Sequence, residues 1–544
     1  MVDFSHSRHK KYRIHAISCK NIGSTPAQQD LREPKIWIEL DGLFMFSDAA
    51  PNGLSSGQGD IMNSQHFDVL IIGAGISGIG AACHLRREMP GKTFAILERR
   101  HAVGGTWDLF RYPGIRSDSD MNTFGFGFRP WTETRVLSDG PSIKKYVEDT
   151  AKEYDVLKHI RFGTKVTRAA FSSNDALWAI ESENEKGGEK QKYTANFVIA
   201  CTGYYKYDAG YKPDFPGEKN FKGQIIHPQK WPEKLDYAGK RVVVIGSGAT
   251  AVTLIPAMAD KTAHITMLQR SPTYIVSIPA NDLLSETLRR FLPNSWVYQM
   301  ARTRNILMQR AIFWLAKSRP SAIRRLLLSA AKSQLGDAID MKHFSPNYNP
   351  WDERLCVVPD GDLFKTLKSG KASIVTDQID TFTEKGIKLK SGKELEADII
   401  VSATGLDVQL MGGVALEVDG ASVPVTQRVT YKAVLVEGIP NAAIIFGYTN
   451  ASWTLKVDIA CEYICRLLKH MDKQNFRVVV ARDKEGVKTE DTVMGGLSSG
   501  YIRRAADRLP KQGSHGVWRV SNDYLSDLPM LRFAPIADEA LEFA

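Results

Sequence analysis

Six cysteines are spread through 544 residues, and no two of them form a CxxC pair. The scatter of Cys19, Cys83, Cys201, Cys356, Cys461 and Cys465 argues against a disulfide framework, a zinc site and a dithiol redox centre together. No apolar run reaches the roughly 20 residues that a bilayer-crossing helix needs. No charged, apolar and small-residue leader opens the sequence either, so a cytosolic chain without a metal is expected. Acidic residues are in deficit, with a formal net charge of +10. The deficit is local. Between Leu283 and Leu335 ten basic residues face the single acid Glu286, a net of +9 that is nearly the whole excess. A local surplus describes a surface patch and not a generally basic protein, so no nucleic-acid partner is expected.

The remaining composition is ordinary for a globular protein, 43% apolar and 24% charged. Residues 1–61 lack sustained periodicity and include "DAAPNGLSSGQGD", which reads as linker or disorder. Met62 then leads straight into a strand, so the start could lie there and 1–61 be spurious; the competing reading is a regulatory or targeting extension. From Phe67 onward strands and helices alternate: "FDVLIIG", a helix over 78–88 and "TFAILE", and again "RVVVIG", a helix over 250–259 and "HITMLQR". Such alternation predicts parallel sheets with crossover helices. Residues 283–335 are strand-free and helical in period, which predicts a helical insertion between the two α/β units.

A lone GxGxxG is weak evidence, but context strengthens this one. "GAGISG" (Gly73, Gly75, Gly78) follows a strand and opens a helix, and Glu98 closes the next strand twenty residues past Gly78. Glycines there let a pyrophosphate approach the helix N-terminus, and the acid accepts from ribose hydroxyls. The second copy, "GSGATA" (Gly246, Gly248, Ala251), ends its following strand on Gln269, Arg270 and Ser271, with no carboxylate. An arginine there suits a 2′-phosphate, although a solvated surface arginine is the plainer reading. The first turn is therefore expected to hold FAD and the second NADPH. Two dinucleotide sites without a redox-active cysteine pair direct electrons to oxygen or to a simple acceptor.

Two longer patterns go further. "FKGQIIHPQKWP" fits F-x-G-x3-H-x3-W-P through Phe221, Gly223, His227, Trp231 and Pro232, and "GGTWDLFRYPGIRSD" supplies Gly105, Thr106, Trp107, Tyr112, Pro113, Gly114 and Asp118. Over residues 66 to 535 the chain resembles the Baeyer–Villiger monooxygenases. The stretches "RYPGIRSDSDM", "GYYKYD", "YNPWDERLC" and "NASWTLK" are most similar to the ethionamide-activating and long-chain-alkane-degrader flavin monooxygenases.

The resemblance implies an enzyme using FAD, NADPH and O2 to turn lipophilic ketones into esters or lactones through a flavin peroxide, with oxidation of sulfur or nitrogen as a side activity. Oxidation of long-chain alkanes, or a plain NADPH oxidase or electron carrier, remain alternatives. It also implies that Arg354 stabilises the reacting anion, that Asp118 positions Arg354, and that His227 is structural. One departure is Glu353, where several relatives carry a lysine that helps hold the 2′-phosphate. The expected division is the FAD domain over 62–215 and 396–544, the NADPH domain over 216–282 and 346–395, and the insertion over 283–345. For the basic insertion two readings stand: a solvated charged face near the substrate mouth, or a helix lying on anionic lipid at the inner face of the membrane. Oligomeric state is left open.

Overall fold

The computed structural model describes residues 64–185, 187–496 and 499–544, so the expectations for 1–61 lie outside the described residues. Gln65–Ile72 (β1), Ile76–Glu88 (α1) and Phe94–Glu98 (β2) form the first strand–helix–strand unit. β1 pairs in parallel with β2, Ile72 opposite Leu97, and on its other side with Lys190–Ala200, Ile72 opposite Ala200. These strands belong to an eleven-stranded mixed sheet, to which Ala442–Ile444 returns from late in the chain to pair with Lys190–Ala200. The long helix Trp453–Gln474 packs on α1. Both faces of β1 and β2 are covered, which is why each reads as a nearly unbroken apolar run.

The second unit repeats the plan with Arg241–Ile245 (β3), Ala249–Met258 (α2) and His264–Gln269 (β4). Its five-stranded sheet is wholly parallel, with β3 between β4 and Ile399–Ser402, and with Ala372–Thr376 and Gln224–Ile226 at the edges. Ile399–Ser402 thus carries this sheet past residue 395. The two Rossmann-like units with a helical insertion are those expected from the alternation of strands and helices.

The insertion comprises Leu283–Leu288 (α3), Asn294–Ser318 (α4) and Pro320–Leu335 (α5). Asp282 caps α3 by accepting from the Ser285 N–H, and Pro320 opens α5 where its missing N–H costs nothing. A short parallel pair, Ile275–Ile278 with Cys356–Pro359, closes the excursion at its base. Arg354 therefore stands two residues before a fixed strand. The inner face of α4 buries Tyr298, Arg302 and Asn305. The Arg302 guanidinium donates to the carbonyls of Asn122, Thr123 and Gly125 and to Asp458 Oδ2, fastening α4 to the first unit.

The charge count of this stretch changes once it is folded. Arg304, Arg310, Lys317 and Lys332 pair with Asp282, Asp523, Asp352 and Asp337, all outside 283–335. Arg289 and Arg324 donate to backbone carbonyls. Among the described residues the surplus is mostly answered by acids and carbonyls brought in from elsewhere. No helix among them is long and apolar enough to cross a membrane.

Candidate active site

A cavity of about 360 Å³ opens where the two units meet the base of the insertion. Gly73, Gly75, Glu98, Gly105, Thr106, Trp107, Asp118 and Arg354 all line it. Residues more than two hundred positions apart are thus brought to one space, and Ala249, Thr250 and Thr253 at the start of α2 close its far side.

The first turn is tight. Gly73 has φ +103°, and a Cβ on Gly78 would stand 1.8 Å from the Gly73 carbonyl oxygen. Only glycine allows this approach of helix to strand. At the end of β2, Glu98 is buried and accepts from the N–H groups of Ala74 at 2.6 Å and Arg100 at 2.7 Å. Burial raises its pKa, while those N–H groups and the Arg100 charge pull the other way. The carboxylate thereby fixes the turn as well as facing the cavity. Across the turn, Gly105 caps the short helix Thr106–Leu109 with φ 57°, and the Trp107 ring meets Phe124 edge-on at 5.8 Å. Asp108, which the sequence did not single out, is buried beneath and accepts from Arg100 and Lys144. The glycine turn, the outward N–H groups of α1 and the acid at the end of β2 fit the pyrophosphate and ribose of a dinucleotide.

Arg354 faces the same space. Its Nε is buried and has no hydrogen-bond partner among the described residues. Burial works against its charge, but Tyr204, Tyr501, Asp118 and Tyr205 outweigh that cost and raise its pKa. It is held as a permanent cation. Asp118 shares the cavity wall, and no hydrogen bond or ion pair joins the two side chains among the described residues. Tyr204 and Tyr205, whose hydroxyls lie 2.7 Å apart, were visible in sequence only as part of "GYYKYD".

The second turn lies outside this cavity and is more open. Gly246 has φ +135° and abuts the Ala403 carbonyl, yet a Cβ on Gly248 would meet nothing within 4 Å, and Ala251 carries its methyl in the core. The Ser247 hydroxyl donates to the Ser271 carbonyl, tying the turn to the end of β4. Arg270 and Ser271 are exposed. Glu353 is half-buried with a pKa raised by burial, and Arg503 and Arg270 are the charges that oppose the rise. Arg503, from the helix Gly500–Ala505, was not legible in sequence because nothing local ties it to this place.

His227 stands apart from the cavity. Its Nδ1 accepts from the Gln229 N–H at 3.2 Å, which leaves the proton on Nε2 to be donated to the Gly405 carbonyl at 3.1 Å. Burial lowers its pKa. With both nitrogens engaged the ring ties two chain crossings and has neither lone pair nor proton to spare. Around it Phe221 is buried against Phe382, a Cβ on Gly223 would strike the Asp398 carbonyl, Trp231 packs on the second unit, and the Pro232 carbonyl accepts from Leu235. No group of three or more potential metal ligands occurs among the described residues.

The sequence pattern of the family described as "Flavin-binding monooxygenase-like" matches residues 136–413, and that of an NAD(P)-binding Rossmann-like domain matches residues 71–138. A Mycobacterium tuberculosis protein named as a FAD-containing monooxygenase, MymA, is 57% identical over 485 residues, covering 88% of this chain and 98% of the relative. An Acinetobacter baylyi protein named as a FAD-binding monooxygenase, AlmA, is 55% identical over 480 residues, 88% of this chain and 96% of that one. Among solved structures, an oxidized steroid monooxygenase bound to NADP superposes with a TM-score of 0.70 at 20% identity, covering 88% of this chain and 99% of that one; at this identity the likeness concerns the fold.

Proposed function

This chain belongs to the flavin-binding monooxygenase-like family, and from that premise we propose that it is an FAD-containing, NADPH-dependent Baeyer–Villiger monooxygenase acting on lipophilic ketones. The overall change is ketone, O2, NADPH and a proton to ester or lactone, NADP+ and water. Bound FAD supplies the two-electron chemistry that activates oxygen.

The chain's own residues hold, orient and polarise. Gly73, Gly75 and the start of α1 would receive the pyrophosphate, and Glu98 would accept from the ribose hydroxyls. Gly105, Thr106 and Trp107 form the opposite wall. At the second turn, Gly246, Gly248 and the start of α2 receive the nicotinamide dinucleotide. Arg270 would contact its 2′-phosphate, with Arg503 as a second cation beside Glu353 and Ser271 at the strand end.

The observation that carries the reading is the Arg354 cation, facing the cavity with a buried Nε that no group among the described residues uses. A fixed positive charge in a site sheltered from water stabilises the anion that develops as oxygen attacks a carbonyl. By analogy with loss of one oxyanion donor, this is worth about 3 kcal/mol. Asp118 lies on the same wall and lends the arginine its negative field. Oxidation at sulfur or nitrogen is a side reaction open to the same cavity.

Product analysis by mass spectrometry, with NADPH and 18O2 across aliphatic ketones, aryl ketones, sulfides and alkanes, tests the reading. One labelled oxygen in an ester or lactone is expected. Alcohols from alkanes alone, or hydrogen peroxide with no organic product, would replace it by an alkane monooxygenase or an NADPH oxidase.

A further inference from the structure

The outward face of α4 is of the wrong polarity for water. Eleven of the thirteen exposed large apolar side chains among the described residues lie between Leu283 and Leu326. On α4, Trp296, Met300, Leu307 and Trp314 are 65%, 51%, 53% and 64% exposed. At 100° per residue the four fall within an arc of about 40°, and the two tryptophans lie about 27 Å apart along one line. The opposite face buries Arg302 and Asn305. A solvated helix normally has the reverse arrangement, with its polar side chains outward.

Charge narrows what covers this face. Asn294–Leu335 contains no Asp or Glu. Arg290, Arg319 and Arg325 are exposed, and their guanidinium groups have no hydrogen-bond or ion-pair partner among the described residues. A second copy of the same face would oppose arginine to arginine, with Glu286 the single acid of residues 283–335 to set against them. An anionic bilayer supplies both an apolar interior for the stripe and phosphates for the arginines, and tryptophan favours that interface.

We propose that α3–α5 form a peripheral docking surface for an anionic lipid membrane, the outer stripe of α4 entering the headgroup–acyl boundary. The inner face of the same helix bears on the cavity wall. Asn305 and Gln309 donate to Asp120, two residues from Asp118. Docking would therefore set the cavity beside the bilayer, from which a lipophilic substrate is drawn; this last step rests on the function proposed above, the docking does not.

The test is sedimentation of the full chain with vesicles of phosphatidylglycerol and phosphatidylcholine, against vesicles of phosphatidylcholine alone. Binding to the anionic vesicles at low ionic strength, released as salt rises, is expected. W296S/W314S and, separately, L307E should each lower partitioning about tenfold or more, with unchanged thermal stability and flavin content, because these side chains support nothing beneath them. Absence of binding at low salt, or equal binding by the variants, would overturn the proposal. So would a wild type that dimerises through this face, as read by sedimentation velocity, without binding vesicles. Turnover of a soluble ketone is measured separately, so failure of docking and failure of the proposed reaction are distinguishable.

Discussion

The two glycine-rich turns follow one plan of strand, turn and helix, yet they are finished differently. At the first, Gly78 has no room for a methyl, Glu98 is buried between two N–H groups, and a cavity wall encloses the ligand side. At the second, Ala251 takes the same place with its methyl in the core, Gly248 faces open space, and the strand ends on exposed Arg270 and Ser271. An enclosed, pre-formed cradle suits a group that stays; an open one edged by exposed cations suits a group that comes and goes each turnover. On the function proposed above, the difference suits the first turn to a resident flavin and the second to an exchanging nicotinamide.

The largest expected effect is at the tighter turn. Gly78→Ala drives a methyl into the Gly73 carbonyl, and overpacking of this kind costs about 1–3 kcal/mol or more. Purified protein should lose most of its bound flavin, read as absorbance near 450 nm per polypeptide. Full flavin content in this variant would erase the contrast between the turns.

Arg270→Ala should raise the KM for NADPH about ten- to a hundredfold through loss of a charge-assisted contact, and leave that for NADH nearly unchanged. Equal changes with both cofactors would move the 2′-phosphate away from Arg270. Gly248→Ala should fold normally and keep its flavin, with a severalfold rise in the KM for NADPH, since only the approaching pyrophosphate would feel the added methyl.

A smaller contrast lies at the far ends of the two helices. α2 contains no titratable side chain, whereas α1 carries His84. Burial disfavours the His84 charge, but hydrogen bonds to Asp458 and Glu88 outweigh it and raise the pKa to about 9. With the folded value above the unfolded one, this contribution is complete below pH 6.5 and is lost as pH rises through 9. The melting temperature should fall by a few degrees across that window, and His84→Gln should flatten the dependence. An unchanged profile in that variant would place the titration elsewhere.

Much of this was readable from residues in order. The two turns, the carboxylate closing one and the arginine closing the other, and the helical insertion all depend on local spacing, which a linear sequence shows directly. What escaped depends on distant neighbours. The surplus of +9 in 283–335 leaves a solvated charged face and a lipid-lying helix both open, because the sequence cannot show that Asp523 and Asp352 neutralise part of it from outside or that Trp296, Met300, Leu307 and Trp314 form the outermost line of α4. Arg503 comes beside Glu353 only through the packing of the C-terminal region. Asp118 and Arg354 were paired by resemblance; they share the cavity, but the wall of phenols around the arginine could not be inferred from either motif.

The account rests most directly on Arg354, and Arg354→Ala tests it. The variant should retain flavin, since the first turn and Glu98 are untouched, and NADPH should still reduce it. Ester formation should fall at least about a hundredfold, in line with loss of about 3 kcal/mol. Oxygen consumption should then appear as hydrogen peroxide, followed by stopped-flow spectra and a product assay on one preparation. Ester formed at near the wild-type rate would contradict the account and remove the cation from the chemistry.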